Sequence, residues 1–405
     1  MAIKKQQQVS TARGKGSGGF GRLLFRPFSS SISPSPSPEP ELIGTIYEKS
    51  SWANLDDFSD NTATATPSIS GDKIQLTGGN GTFTNSIDLL RYTCLEKWKF
   101  TARVTLLSTP ASTTFGWGFG IRSYNTTGVR NTVCRYITAN TASSGRLFIN
   151  SGASDALAAS TSAPDIVPPV LNHEYQLTIE LDRYNMSFTV EDLTVGGSVT
   201  LNYTFESDGA SGPALHNTGR FAMFSFGGTH RLEYLKVESA EYKNPKYMLI
   251  GDSKSKGYRA SDFDLRFGSL LAANYDEFAV NAGGSDKMDE VTLRLDEITN
   301  LCKPEVAILS IGSNDKRQGQ GDSSVLTEYD ALVSAMTSAG IRVFHIGPIR
   351  ESSLALEFMY THIAATYAAA DIVDPGSPGL DGDGVHPNDA GHAAISTAII
   401  SSGKL

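Results

Sequence analysis

Basic charge is in short supply in this chain of 405 residues: 34 Lys and Arg stand against 43 Asp and Glu, for a net charge of −9. Polyanions attract basic surfaces, so general nucleic-acid binding is set aside. No apolar run approaches the roughly 18 residues of a membrane-spanning helix. The N-terminus carries charge without the apolar stretch of a conventional secretory signal. Cysteines number three, Cys94, Cys134 and Cys302, spread widely and in no metal-ligand spacing. They read as buried thiols rather than a disulfide framework; a Cys94–Cys134 bond requires the fold to bring those two together. His-Glu-x-x-His, Cys-x-x-Cys and the Gly-x-Ser-x-Gly elbow are all missing, which argues against the α/β-hydrolase form of serine chemistry.

What is present divides by texture, and the length suits two domains better than one. Residues 1–41 are a spacer, not a domain. Met1–Phe28 carries Lys4, Lys5, Arg13, Lys15, Arg22 and Arg26 with no acid, and Ser29–Glu41 is a Ser/Pro run. Such a segment buries too little surface to fold. It reads as a disordered basic arm, or as an anchor docking into a larger assembly.

Residues 42–245 read as all-β. Lys73–Thr77, Trp98–Val104, Tyr175–Leu181 and Arg231–Val237 alternate apolar and polar residues between Gly, Asn, Asp, Ser and Pro clusters. That pattern predicts an antiparallel sandwich. Trp52, Trp98 and Trp117 are core residues, or a platform for a sugar face if any is exposed. Asp56, Asp57 and Asp60 are solvated turn residues, or a calcium site. The segment Asp56–Phe58, Trp98–Val104, Phe115–Ile121 and the final amphipathic strand resemble concanavalin A-like jelly rolls of the laminin G/glucanase type. The resemblance implies a carbohydrate-binding sandwich.

From Lys246 strand and helix alternate. Strands are expected at Tyr247–Ile250, Phe278–Val280, Val306–Ile311, Arg342–Ile346 and Ile372–Val373. Helices are expected at Ser261–Ala273, Asp286–Thr299, Val325–Ala339, Leu356–Ala370 and Asn388–Ser401. This spacing implies βαβ units and a mostly parallel sheet between helical layers. Ligands bind such sheets at the carboxyl ends of the strands, and the chemistry-bearing stretches fall there. Gly251-Asp252-Ser253 ends the first strand, and Asn281-Ala282-Gly283-Gly284-Ser285 follows the second. Gly312-Ser313-Asn314-Asp315 follows the third, and Asp383-Gly384-Val385-His386-Pro387 precedes the last helix. Singly, each is a common turn or cap.

In this order the four stretches resemble the blocks of the SGNH (GDSL) hydrolase family: Gly-Asp-Ser, a glycine, Gly-x-Asn-Asp and Asp-x-x-His-Pro. The resemblance covers about 246–405 and implies a three-layer α/β/α, flavodoxin-like domain with no cofactor. Carried over residue by residue, it makes Ser253 the nucleophile, His386 its general base and Asp383 the group that orients the imidazole. The implied oxyanion donors are the Ser253 N–H, the Asn314 amide and a second-block N–H. The second block is compressed here; Gly284 is the chosen donor, with Gly283 or Ser285 as alternatives. His345, His362 and His392 are left as structural or surface residues.

The expected function is a serine esterase removing acyl groups, foremost O-acetyl, from a polysaccharide. A lipase, lysophospholipase or thioesterase is the enzymatic alternative; a non-catalytic glycan- or receptor-binding virion protein is the other. The basic arm and spacer suit an extracellular or virion-associated protein, such as a phage tail or fibre component, assembled through residues 1–41.

Overall fold

The computed structural model describes residues 44–405 except 61–66, 78–85, 94, 110–115, 126–127, 139–144, 153–155, 161–168, 206–218 and 240–243. Residues 1–41, the expected arm and spacer, lie outside the described residues.

Alternating sequence produces a two-sheet sandwich. One sheet runs in the order Ser198–Thr204, Asn185–Asp192, Glu174–Asp182, Lys97–Ser108, Thr229–Ser239, Lys73–Thr77, Pro67–Ser70, with Gly44–Lys49 also paired to Thr229–Ser239. The other runs Ala156–Ser160, Gly145–Gly152, Gly128–Thr138, Gly116–Asn125, Gly219–Phe226, Ser86–Thr93, Phe58–Asp60. Every described strand pair in it is antiparallel. Period-two alternation turns Trp98, Phe100, Ala102 and Val104 inward from one strand, and Tyr175, Leu177, Ile179 and Leu181 from its neighbour. Between the sheets the aromatic rings interlock. Phe100 lies 5.2 Å from Phe119 and 5.8 Å from Phe221, and Trp117 lies 5.4 Å from Tyr175. Trp52, Trp98 and Trp117 are all buried, so the core reading of the tryptophans holds and the sugar-platform reading does not. Cys134 is a free thiol packed 3.5 Å from the Met186 sulfur, so it forms no disulfide with Cys94, which is itself outside the described residues.

The remaining chain is a parallel sheet in the order Phe278–Ala282, Tyr247–Gly251, Val306–Ser310, Arg342–His345. The two central strands are buried at every position, as expected of a sheet covered on both faces by helices. The helices are α1 (Phe267–Ala272), α2 (Met288–Leu293), α3 (Ser313–Arg317), α4 (Asp322–Ser338), α5 (Glu357–Thr366) and α6 (Asp389–Ser402). Separate apolar clusters pack on the two faces, one around Met248, Leu309 and Met336, the other around Leu249, Ile308 and Ile395.

Two expectations need correction. The fifth strand, Ile372–Val373, is reduced to one bridge from Ile372 to His345, because Pro375 and Gly376 follow at once and pull the chain away. The helix expected over Asp286–Thr299 breaks after Leu293 and resumes as a π-helical turn, Glu297–Cys302. At the break, Arg294 is fully buried: its Nη2 lies 2.7 Å from Asp286 Oδ2 and its Nε donates to Asn281 Oδ1 at 2.9 Å. The buried guanidinium thus sits at the point where the regular helix ends.

Sandwich and α/β part meet through buried polar contacts. Glu96 of the sandwich receives Arg266 Nη1 at 2.7 Å and Nη2 at 3.4 Å. The Arg266 guanidinium lies 3.3 Å from the Phe263 ring centre, and Tyr184 packs edge-on to the same ring. Thr93 donates to Glu297 Oε1 at 3.2 Å, an oxygen shared with the Asn281 amide.

Candidate active site

The strand Tyr247–Gly251 ends where a side chain would not fit. A Cβ on Gly251 would lie 2.1 Å from Ser255 Oγ and 2.4 Å from the Ser310 carbonyl. Beyond it the chain turns tightly, with Lys256 N donating to Asp252 O and Tyr258 N to Ser253 O, both at 2.9 Å. The Asp252 carboxylate is buried and accepts from the Lys254 N–H at 2.9 Å and from Ser313 Oγ at 2.6 Å. Ser253 is left half-buried at the strand's carboxyl end.

Ser253 Oγ lies 2.9 Å from His386 Nε2, and His386 Nδ1 lies 2.7 Å from Asp383 Oδ2. The acid orients the ring: Nδ1–H donates to Asp383, and Nε2 is left to accept the serine proton. Asp383 Oδ1 also accepts the backbone N–H groups of Val385 and His386, at 2.8 and 3.0 Å. Burial alone would raise the Asp383 carboxyl; the two N–H groups and the imidazole outweigh it and hold the group well below the usual carboxylate range. The three residues that the sequence singled out thus form one hydrogen-bonded chain.

The Asn314 amide donates to the Asp286 carbonyl at 2.9 Å, tying the third block to the second. An amide has two N–H groups, so this contact sets its plane while one N–H remains to be directed elsewhere. Asp315 Oδ1 accepts the Met288 N–H at 3.1 Å, a second tie between the same segments. Gly284 is exposed, and a Cβ there would meet nothing within 4 Å. The left-handed position of this turn falls on Ser285, at φ 68°. Gly283 is buried, one step away.

Sequence reasoning passed over four residues. Tyr258 packs on His386, ring centres 4.8 Å apart, and Arg259, at φ 72°, brings its Nε 3.5 Å from Asp383 Oδ2. Both follow the serine within six positions, the one signal that marked them. Lys254 and Glu351 are buried and paired at 2.6 Å, and nothing in the sequence connects them. The other histidines lie apart from this chain of contacts. His345 meets the Tyr329 hydroxyl at 2.8 Å and stacks on Tyr367, while His392 is buried beside Phe267. His362 does have an acid, Asp330, at 2.8 Å, on α4. Of the acids weighed for calcium, Asp57 receives Tyr47 and Lys49, Asp56 receives the Asn54 amide, and the Asp60 side chain lies outside the described residues. Among the described residues, no group of three His, Cys, Asp or Glu side chains is placed to hold a metal ion.

With this geometry in place, residues 249–394 match the model of the GDSL-like Lipase/Acylhydrolase family. The C-terminal part is a GDSL-like acylhydrolase domain. By family it is an ester hydrolase domain. No curated protein matches the chain. Among solved structures, the domain is similar to the psychrotrophic esterase EstA from Pseudoalteromonas, at 19% identity and TM-score 0.32, covering 39% of this chain and 97% of that one. It is similar also to a lipase/acylhydrolase from Enterococcus faecalis, at 18% identity and TM-score 0.33, covering 39% and 95%. The sandwich is similar to the basic winged bean lectin, at 10% identity and TM-score 0.37, covering 48% and 98%. Among the described residues, no helix is long and apolar enough to cross a membrane.

Proposed function

We propose that the GDSL-like domain hydrolyses O-acetyl esters of a carbohydrate through an acyl-enzyme on Ser253. The observation that carries the reading is the unbroken Ser253–His386–Asp383 chain of hydrogen bonds. His386 Nε2 takes the Ser253 proton as Oγ attacks the ester carbonyl, and Asp383 stabilises the imidazolium that forms. Negative charge then appears on the former carbonyl oxygen. The Ser253 N–H, the second Asn314 N–H and the Gly284 N–H are assigned to receive it, each preorganised donor being worth about 2.7–4 kcal/mol. Collapse expels the sugar hydroxyl, protonated by His386. Water activated by the same nitrogen then releases acetate and restores the serine.

The substrate class rests on the surroundings. The loop that follows α3, Gln318–Gly321, is polar and carries two glycines, and Gly284 and Ser285 are small and exposed. Such a rim suits a hydrated sugar carrying a short acyl group better than a long acyl chain. The sandwich docked through Glu96 and Arg266 would hold the glycan, and with its tryptophans buried it would do so with other side chains.

The test is acetate release from 4-nitrophenyl acetate and from O-acetylated polysaccharides, read by absorbance and mass spectrometry. Wild type is expected to release acetate, and Ser253→Ala to lose the activity by on the order of 10⁴-fold or more. Equal rates in the two proteins overturn the reading. A 4-nitrophenyl ester of a long-chain acid turned over faster than the acetate moves the assignment to a lipase.

A further inference from the structure

Lys254 follows the serine directly, yet its side chain is 2% exposed and that of Glu351 is fully buried. Lys254 Nζ donates to Glu351 Oε1 and to Ser313 Oγ, both at 2.6 Å, and lies 3.8 Å from Asp252 Oδ2. Ser313 donates in turn to Asp252, and Arg317 pairs with the second Glu351 oxygen. Two carboxylates and two cations therefore balance within one cluster. It joins three chain segments: the turn that carries Ser253, the start of α3 that carries Asn314, and the loop after the strand Arg342–His345.

That loop reaches a fourth segment. Ser352 donates from its N–H and its hydroxyl to the Gly384 carbonyl, at 3.1 and 3.0 Å. Gly384 lies between Asp383 and His386 at φ 68°, and a Cβ there would fall 2.5 Å from Ser352 Oγ. Glycine is needed for both reasons, the left-handed backbone and the close approach. Glu351 and Ser352 are thus a strap from the nucleophile's turn to the loop that holds the base.

We propose that the Lys254–Glu351 pair is a positioning element of the reaction, setting Ser253 against His386 and Asn314. The inference rests on the esterase reading above. A buried ion pair adds little net stability, since desolvating both partners offsets their attraction, and apolar residues of similar volume often replace one without loss. Apolar residues cannot supply direction. From the nucleophile's own turn the Lys254 ammonium donates to the start of α3 and to the strap at once, which contact packing does not reproduce. A displacement of about 1 Å at a reacting group can lower the rate by about a hundredfold.

The experiment compares wild type, the charge-free pair variant Lys254→Met/Glu351→Gln, and Ser253→Ala, on 4-nitrophenyl acetate. For wild type and the pair variant, which keep Ser253, kcat is normalised to the fraction of protein labelled at completion by a fluorophosphonate, so that misfolded molecules do not count; Ser253→Ala is compared per total protein. The pair variant is expected to fold and to keep KM within about twofold, while kcat falls roughly ten- to a hundredfold. Wild-type kcat in that variant overturns the positioning role and makes the pair merely structural. Should it fail to fold, Glu351→Asp keeps the charge and retracts it by one methylene; the same fall in kcat at constant KM is expected, and an unchanged kcat overturns the proposal. Turnover surviving in Ser253→Ala removes the esterase reading itself, which separates the two failures.

Discussion

The sandwich and the α/β part bury their charges in different ways. Among the described residues of the sandwich, Asp88 and Glu96 are the buried charged side chains, and Glu96 faces the other part. In the α/β part Asp252, Lys254, Arg266, Asp286, Glu290, Arg294, Glu297, Asp315 and Glu351 are all buried. The sandwich core needs only to exclude water, and interlocked Phe, Trp, Leu and Ile side chains do so. The α/β part must hold several loops at strand ends in one mutual arrangement, and directional contacts between buried charges meet that need. The contrast indicates that buried charge in this protein follows the demand for geometry rather than for stability.

The sharpest way to break the contrast is at the contact between the parts. Glu96→Ala leaves the buried Arg266 guanidinium without its carboxylate and is expected to cost about 3–5 kcal/mol, seen in denaturant unfolding. Arg266 also donates to the Lys256 carbonyl, in the turn after Ser253, so kcat should fall with stability. Lower stability with full kcat would show that the sandwich is a passenger. Removing the exposed Lys99–Glu180 pair by Lys99→Ala is the control, expected to change stability by less than about 1 kcal/mol.

A somewhat smaller effect isolates chemistry from folding. Asn314→Ala is expected to lower kcat on 4-nitrophenyl acetate by about 10²–10³-fold, the worth of one oxyanion donor. Its stability should move by only about 1 kcal/mol, for the lost bond to the Asp286 carbonyl. A variant that loses stability and keeps its rate would return Asn314 to the role of a helix-start residue.

The smallest effect is a slope. Burial pushes the Glu290 carboxyl up from its ordinary 4.5 to about 7, with Asp286 and Asp289 acting in the same sense against the Lys287 N–H and ammonium. The folded state therefore holds a proton that the unfolded chain gives up between about pH 4.5 and 7. Stability falls as pH rises through that window, and below it the penalty is gone. Asp315, pushed up to about 6 chiefly by burial, adds to the same slope. Glu290→Gln should flatten the melting temperature against pH between 5 and 8; an unchanged profile would show that Glu290 does not titrate there.

Much of this was legible along the chain. The alternating segments at Lys73, Trp98, Tyr175 and Arg231 became strands because period two is a local property that neighbouring strands only reinforce. Ser253, Asp383 and His386 were legible because each sits in a turn whose residue types are constrained locally. Lys254 and Glu351 were not, being 97 positions apart, nor were Glu96 and Arg266, 170 apart. A charged residue reads as surface until the chain closes around it. The break at Arg294 was hidden for the same reason, since the partners that bury it lie before the helix.

By itself the sequence determined the two textures, the order of the four blocks, and which serine, histidine and aspartate form the hydrogen-bonded chain. Apolar period and turn chemistry are encoded within a few neighbouring positions, so they survive without a fold. Tertiary structure alone decided which charges go inside, how the loop at Glu351 reaches the Asp383 turn, and that the tryptophans face the core. Those outcomes depend on distances between segments far apart along the chain, which exist only once the sheets have packed.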